Sequence, residues 1–162
     1  MDTLIDFTHL EDVLRRWADY FRNDYTQRLI ANDRIASREL LESVRTRIEV
    51  DGSGYEVVVT LRDYWKYVEN DTRPHWPPPA ALLRWVEIKP TIPRPYTLNG
   101  KEISAKSLAY LVGRKISEHG TKGTHDMEAA KDDAMRAFRA ELKAAVGHDV
   151  VNYILKVTPG AR

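Results

Sequence analysis

The chain has 162 residues, of which 43% are hydrophobic and 30% charged, a balance typical of one globular domain. Its 25 Lys and Arg against 24 Asp and Glu leave a net charge of +1, which argues against a dedicated nucleic-acid binder, since such proteins need a basic excess. The chain contains no cysteine, which excludes disulfides, thiolate metal sites and thiol nucleophiles and favours a cytoplasmic folding environment.

The N-terminal part predicts a helix, a helical turn and a hairpin. Apolar residues recur every three or four positions over residues 8–30, which predicts a long helix. Its aromatic stripe is expected to pack on the chain's own core, with a partner surface as the alternative. A short helical turn is expected over residues 37–44. Alternating polar and apolar residues, a glycine-containing turn and a valine-rich run then predict a hairpin over residues 45–61.

Prolines dominate the middle of the chain. One or two helical turns over residues 63–70 lead into Pro74–Pro79, a segment that can form neither a helix interior nor an inner strand. A helix is expected over residues 80–88. Residues 89–103 hold three further prolines and predict a long irregular loop with few internal partners, which projects towards a neighbouring molecule.

Two further helices are expected after this loop. Ser104 is a suitable N-cap for a helix over residues 104–118, in which Gly113 permits a close backbone approach. A glycine-punctuated loop separates this helix from the next one. That last helix is expected over residues 126–146, with Gly147 at its end.

The C-terminal residues 150–157 are rich in β-branched and aromatic side chains, which predicts a strand ended by Pro159. The expected fold is therefore α+β, with a small, mostly antiparallel sheet of about three strands packed with about four helices. The hairpin over 45–61 and the strand over 150–157 would make this sheet. We expect a single domain over residues 1–162, with the long N-terminal helix and the projecting loop as its distinguishing features.

The chain offers little that could perform catalysis. It contains neither a Gly-x-Ser-x-Gly nor a His-Glu-x-x-His motif, and the loop from Gly120 to Thr124 lacks the order of a phosphate-binding loop. Glu69 and Asp71 are candidate paired carboxylates, which leaves a small hydrolase open as one alternative. The aromatic residues and the stiff proline segment favour a surface that contacts other chains. A non-catalytic interaction module with a single partner is the other alternative.

Two stretches of the chain match one known pattern in order and spacing. The first runs from Tyr64 to Pro78 and includes Tyr-Val-Glu-Asn-Asp-Thr-Arg-Pro-His, followed by prolines and a helix with Leu and Trp. The second combines the helix around residues 108–116 with the sequence Gly-Thr-Lys-Gly. Both resemble the head–tail connector or tail-completion (neck) proteins of long-tailed bacteriophages. The resemblance covers about residues 35–145, but Asp71 and His125-Asp126 depart from the glycine and the two phenylalanines usual there.

The resemblance implies a virion structural protein without catalysis, cofactor or metal. Its subunits would assemble as a ring, with a hexamer as the expected copy number, and join the DNA-filled head to the tail. The partners would be other copies of the chain, the adjacent head-connector or head-closure protein and the tail-tube or tail-terminator protein. DNA would pass through the lumen without being read. The chain lacks the pattern of a signal peptide or a membrane span, so assembly is expected in the host cytoplasm, before the protein resides in the neck of the virion.

The subunit contacts are expected on the proline segment and on the loop over residues 89–103. In the proline segment, Trp76 would pack and Arg73 would pair with an acid such as Glu69. The residues expected at the interface are Arg73, His75, Trp76, Pro77, Pro93, Tyr96 and Lys122.

Overall fold

The computed structural model describes residues 7–33, 38–51 and 54–157, and these contain six helices and four short strands. The helices are α1 (Thr8–Ala31), α2 (Glu39–Ser43), α3 (Trp65–Glu69), α4 (Pro79–Ile88), α5 (Ala105–His119) and α6 (Asp126–Val157). The strands are β1 (Arg45–Asp51), β2 (Gly54–Thr60), β3 (Thr97–Leu98) and β4 (Lys101–Glu102).

The predicted fold class is wrong. Helices account for 63% of the described residues, and the strands form two separate two-stranded antiparallel sheets, β1–β2 and β3–β4. The hairpin predicted over residues 45–61 is present, although two residues of its turn lie outside the described part of the chain. The third strand predicted over 150–157 is instead the end of α6. The expected α+β sheet of about three strands with about four helices is therefore replaced by six helices and two hairpins among the described residues.

The last helix, α6, continues beyond its predicted end because its buried face continues beyond that point. Residues on this face follow one another at steps of three or four positions from Ala130 to Tyr153. The predicted stop at Gly147 does not occur, since a helix-interior glycine costs only about 0.5–1 kcal/mol and the packing on either side outweighs it. Pro159, the expected terminator, lies outside the described residues. The buried or half-buried residues of this face are Ala130, Ala134, Phe138, Leu142, Ala145, Asp149 and Tyr153.

The chain divides into two compact units. Unit 1 comprises Met1–Tyr25, Arg45–Thr60 and Met127–Arg162, and unit 2 comprises Thr26–Val44 and Leu61–Asp126. In unit 1, the aromatic stripe of α1 is buried within the chain's own core. The ring centroids of Trp17 and Phe21 lie 5.6 Å apart, those of Phe21 and Tyr25 lie 6.0 Å apart, and Tyr20 meets Phe138 of α6 edge to face. This stripe therefore serves the core rather than a partner.

A buried carboxylate on α6 caps the first turn of α1. Asp149 is 2% exposed, and its Oδ1 accepts hydrogen bonds from the backbone N–H of His9 at 3.2 Å and from the His9 Nδ1–H at 2.6 Å. Its Oδ2 accepts the backbone N–H of Leu10 at 2.9 Å. Burial alone would raise the pKa of Asp149, but the donors from Leu10 and His9 outweigh it and hold the pKa below its ordinary value.

Unit 2 is built around the packing of α4 against α5. Local rules set the ends of both helices: Pro79 occupies the first turn of α4, and the Ser104 hydroxyl accepts the Ser107 N–H at the start of α5. Gly120 ends α5 with a φ of 72°, and its N–H donates to the carbonyl of Ile116 at 2.8 Å.

The segment over residues 89–103 is more ordered than predicted. It contains the β3–β4 hairpin, whose turn at Asn99-Gly100 has positive φ at both positions, as a tight hairpin turn requires. The Lys89 Nζ donates to the carbonyl of Asp33 at 2.6 Å and lies 3.0 Å from its carboxylate. The Tyr96 carbonyl accepts the Ile103 N–H at 2.8 Å. The expectation of few internal partners is therefore wrong.

Candidate functional site

The two stretches that carry the resemblance contact each other in unit 2. Thr72 and Thr121 form an antiparallel bridge, in which the Thr72 N–H donates to the Thr121 carbonyl at 2.9 Å. The Thr121 N–H donates to the Thr72 hydroxyl at 2.9 Å, and the two hydroxyls lie 2.8 Å apart. Residues nearly fifty positions apart in the chain therefore form one paired structure.

The glycines of the Gly-Thr-Lys-Gly loop allow this close approach. A Cβ at Gly120 would lie 2.0 Å from the carbonyl oxygen of Thr72, and a Cβ at Gly123 would lie 2.2 Å from the carbonyl oxygen of Glu69. Both obstacles are backbone atoms, which cannot rotate away as a side chain would. Steric exclusion of any larger residue therefore explains both glycines of the motif.

The two carboxylates of the hydrolase alternative lie at this same junction. The Asp71 Oδ1 accepts the Gly123 N–H at 2.8 Å and lies 3.9 Å from the His125 Nε2. Glu69 is buried, and its carbonyl accepts the His125 N–H at 3.1 Å. The Asp71 carboxylate therefore joins the two loops, whereas Glu69 joins them through its backbone.

We expect the Thr72 hydroxyl to contribute more to stability than the Thr121 hydroxyl. Thr72→Val removes the acceptor of a backbone N–H and should cost about 1–2 kcal/mol of unfolding free energy. Thr121→Val removes only the hydroxyl–hydroxyl bond and should cost less than about 1 kcal/mol. Urea denaturation would measure the loss of unfolding free energy in both variants. An equal loss, or a larger loss in Thr121→Val, would contradict the prediction.

An apolar groove in unit 2 is lined by Trp76 and by residues of α4 and α5. The Trp76 and Tyr110 rings lie 5.6 Å apart and remain 47% and 59% exposed. A Cβ at Gly113 would lie 3.0 Å from the Leu82 Cδ1, so the glycine permits the expected close approach of α5 to α4. The cavity has a volume of about 300 Å³. Its lining residues are Trp76, Pro79, Ala80, Leu82, Leu83, Lys106, Ala109 and Tyr110.

The other predicted residues of the proline segment lie outside this lining. Arg73 is exposed and makes no ion pair with any residue in the described part of the chain, so the expected pairing with Glu69 is wrong. The His75 Nδ1–H donates to the Arg73 carbonyl at 2.8 Å, which holds the exposed ring in place. Pro77 is buried, so it supports the segment from within rather than offering surface.

The remaining predicted residues lie on two other loops of unit 2. Pro93 is exposed, whereas Tyr96 is half-buried and its hydroxyl donates to the Val86 carbonyl at 3.4 Å. Lys122 is exposed between the two glycines of its loop. None of these three residues lines the groove, so the structure brings only Trp76 of the predicted set to it.

Sequence reasoning missed Lys106 and Tyr110, two of the three groove residues on α5. The available signal was the pair of small residues four positions apart, Ala109 and Gly113, which are both buried and allow another element to approach the helix. Tyr110 follows Ala109 directly and therefore borders that approach. Tyr110 was therefore the residue of α5 to select as a candidate surface residue.

Sequence reasoning also missed a second apolar surface, at the end of α6 in unit 1. Val151, Ile154 and Leu155 are each at least half exposed, and Val146 and Val157 are 40% and 47% exposed. This cluster was missed because residues 150–157 were expected to form a strand. We call these five residues the α6 end.

A comparison of the chain with family models, curated proteins and solved structures finds no match. Among residues 7–33, 38–51 and 54–157, no three His, Asp or Glu side chains converge in a way that would hold a metal ion. No helix in this described part is long and apolar enough to cross a membrane.

Proposed function

We propose that the chain is a structural protein of the phage neck, which assembles as a ring and joins the filled head to the tail. One observation carries the proposal: the two stretches that resemble the neck proteins pack against each other. Thr72 bridges Thr121, and Asp71 accepts the Gly123 N–H. Such contact is expected if the two blocks belong to one structural motif.

The exposed apolar surfaces are consistent with an assembly role. A soluble monomer rarely leaves large aromatic and aliphatic side chains uncovered in clusters, because such patches associate with other molecules. The Trp76–Tyr110 groove and the α6 end are two such clusters on one chain. A ring gives each subunit neighbours that can cover them.

The proposal also accounts for the near-zero net charge. A ring whose lumen passes DNA needs neither base readout nor tight phosphate binding, since tight binding would retain the DNA. The charge of +1 therefore fits passage of DNA better than capture of DNA. The adjacent rings of the head and the tail would be the other partners.

Electron microscopy of particles that lack this gene tests the proposal. We expect DNA-filled heads and complete but separate tails in the lysate, and joined particles again when the gene is supplied in trans. Normally joined particles in the deletion strain would contradict a neck role. A pull-down that returned one partner and no second copy of the chain would then favour the single-partner interaction module.

A further inference from the structure

The β1–β2 hairpin of unit 1 is a sheet of two strands, so β1 has a neighbouring strand on one side only among the described residues. Residues 45–51 pair one to one with residues 60–54, without a bulge. Five of the seven residues of β1 are exposed and none is buried. In an antiparallel ladder, the backbone groups of every second residue point away from the neighbouring strand. The outer side of β1 is therefore a regular edge that can accept a further strand.

The charged residues of β1 are arranged by sign along this edge. Proteins commonly protect an exposed edge with a proline, a bulge or charges that repel a second copy. β1 contains no proline, and its charges are two arginines followed by two acids. They occupy alternate positions, so all four lie on one face of the strand, and that face is exposed. These residues are Arg45, Arg47, Glu49 and Asp51.

We propose that β1 of one copy pairs antiparallel with β1 of a second copy, centred on Ile48, to form a four-stranded sheet in the order β2-β1-β1-β2. In this register Arg47 lies opposite Glu49 of the second copy, and Arg45 lies opposite Asp51 of the second copy. Every charged residue of β1 then faces the opposite charge. Opposite charges directly across two strands stabilise the pairing, whereas like charges in those positions oppose it.

The charges of β1 also select this register from its alternatives. A shift of two residues in one direction places Arg47 opposite its own copy, and a shift in the other direction places Glu49 opposite its own copy. Parallel pairing brings arginines beside arginines and acids beside acids. The β2 edge offers no comparable selection, because Glu56 is its one charged residue.

The hairpin itself leaves these charges without an opposite charge across the sheet. Glu49 lies opposite Glu56 of β2, and Arg47 lies opposite Val58. The Arg47 guanidinium contacts the Glu49 carboxylate of the same strand at 2.6 Å, but both side chains are exposed, and exposed ion pairs contribute little. Arg47 of a second copy would give Glu49 an opposite charge on the side away from Glu56. Pairing therefore adds a favourable contact without the loss of a strong one.

The two copies would use the same edge, so the contact is isologous and closes as a dimer. A contact of this kind does not by itself build a ring. The inference therefore goes beyond the neck role and does not depend on it. Its consequence is that the purified chain associates in pairs and covers an edge that would otherwise accept any extended segment.

Charge reversal on the full-length chain tests the contact. In a dimer of Arg47→Glu, or of Glu49→Arg, each substitution places like charges opposite each other at two symmetric positions. Sedimentation velocity over a concentration series should show the dissociation constant raised by about tenfold or more in each single variant. An equimolar mixture of the two variants should recover the parent's dissociation constant, because each altered residue then faces an opposite charge. Arg139→Glu, an equal charge change at an exposed position of α6, should leave it unchanged.

Disulfide trapping tests the register, since the chain has no cysteine of its own. Ile48→Cys would face its own copy, whereas Val50→Cys would face Thr46 of the second copy. We expect Ile48→Cys to form its disulfide dimer about tenfold faster than Val50→Cys, because pairing raises the effective concentration of the facing thiols. Exposure alone favours the reverse order, since Val50 is exposed and Ile48 is half-buried.

Four results would overturn the proposal. They are a parent chain that stays monomeric throughout the concentration series, single variants that associate as the parent does, a mixture that associates no more tightly than its components, and a Val50→Cys chain that cross-links as fast as Ile48→Cys. The deletion experiment is independent of all four. A charge-dependent dimer together with normally joined particles would retain the contact and reject the neck role, whereas a monomer together with unjoined heads and tails would do the reverse.

Discussion

Replacing Gly120 or Gly123 with alanine is expected to cost more than about 3 kcal/mol of unfolding free energy, because each new methyl group would overlap a carbonyl oxygen that cannot move aside. Gly120 carries a second cost. Its φ of 72° and ψ of −165° lie in a region that only glycine occupies readily, and an alanine there adds roughly 1–3 kcal/mol of strain. We therefore expect Gly120→Ala to be the more damaging of the two.

Gly147→Ala is the matched control. A Cβ at Gly147 meets no atom within 4 Å, and the residue lies inside α6, so alanine should raise stability by about 0.5–1 kcal/mol. Urea denaturation followed by tryptophan fluorescence is a suitable measurement, since Trp65, Trp76 and Trp85 lie in unit 2 with the loop glycines and Trp17 lies in unit 1 with Gly147. Unchanged stability of both loop variants would contradict the close approach of Gly120 to Thr72 and of Gly123 to Glu69.

The parts of the fold that the sequence predicts are those governed by neighbouring residues. Ser104 caps α5 as predicted, because its hydroxyl accepts a backbone N–H within the same turn. Pro79 at the start of α4 and Gly120 at the end of α5 follow local rules of the same kind. The β1–β2 hairpin likewise depends on a tight turn and on alternating polar and apolar residues. Such features can be read within a window of about ten residues.

The parts that the sequence did not predict depend on distant contacts. Residues 150–157 have strand-forming side chains, but Asp149 is held against the start of α1, and α6 continues through them with Val150 and Tyr153 half-buried and the others exposed. Tertiary packing therefore overrode local propensity. The groove was missed for a related reason: Trp76 was recognised, but its neighbour Tyr110 is 34 positions away and meets it only in the folded chain.

Asp149→Ala is expected to destabilise the protein by roughly 2–3 kcal/mol, because it removes a charged acceptor from three donors at the start of α1. The two backbone N–H groups would be left without this partner in a site where Asp149 itself is almost fully buried. Asp149→Asn keeps the shape and one oxygen and should cost less. Asp132→Ala, which alters an exposed acid on the same helix, should leave stability within about 0.5 kcal/mol of the parent.

The pH dependence of stability separates the contribution of the Asp149 charge from that of its side-chain shape. Its pKa lies below the ordinary value of 3.8 in the folded protein, so its ionised form stabilises the fold at every pH above that value. The contribution is lost as the pH falls through the folded pKa, where the carboxylate takes up a proton. Thermal unfolding followed by circular dichroism should therefore show a gap between the parent and Asp149→Asn that is constant from pH 7 to about pH 5 and narrows below about pH 4. A gap that stayed constant at the lowest pH would mean that the carboxylate charge contributes nothing, and that packing alone joins α6 to the first turn of α1.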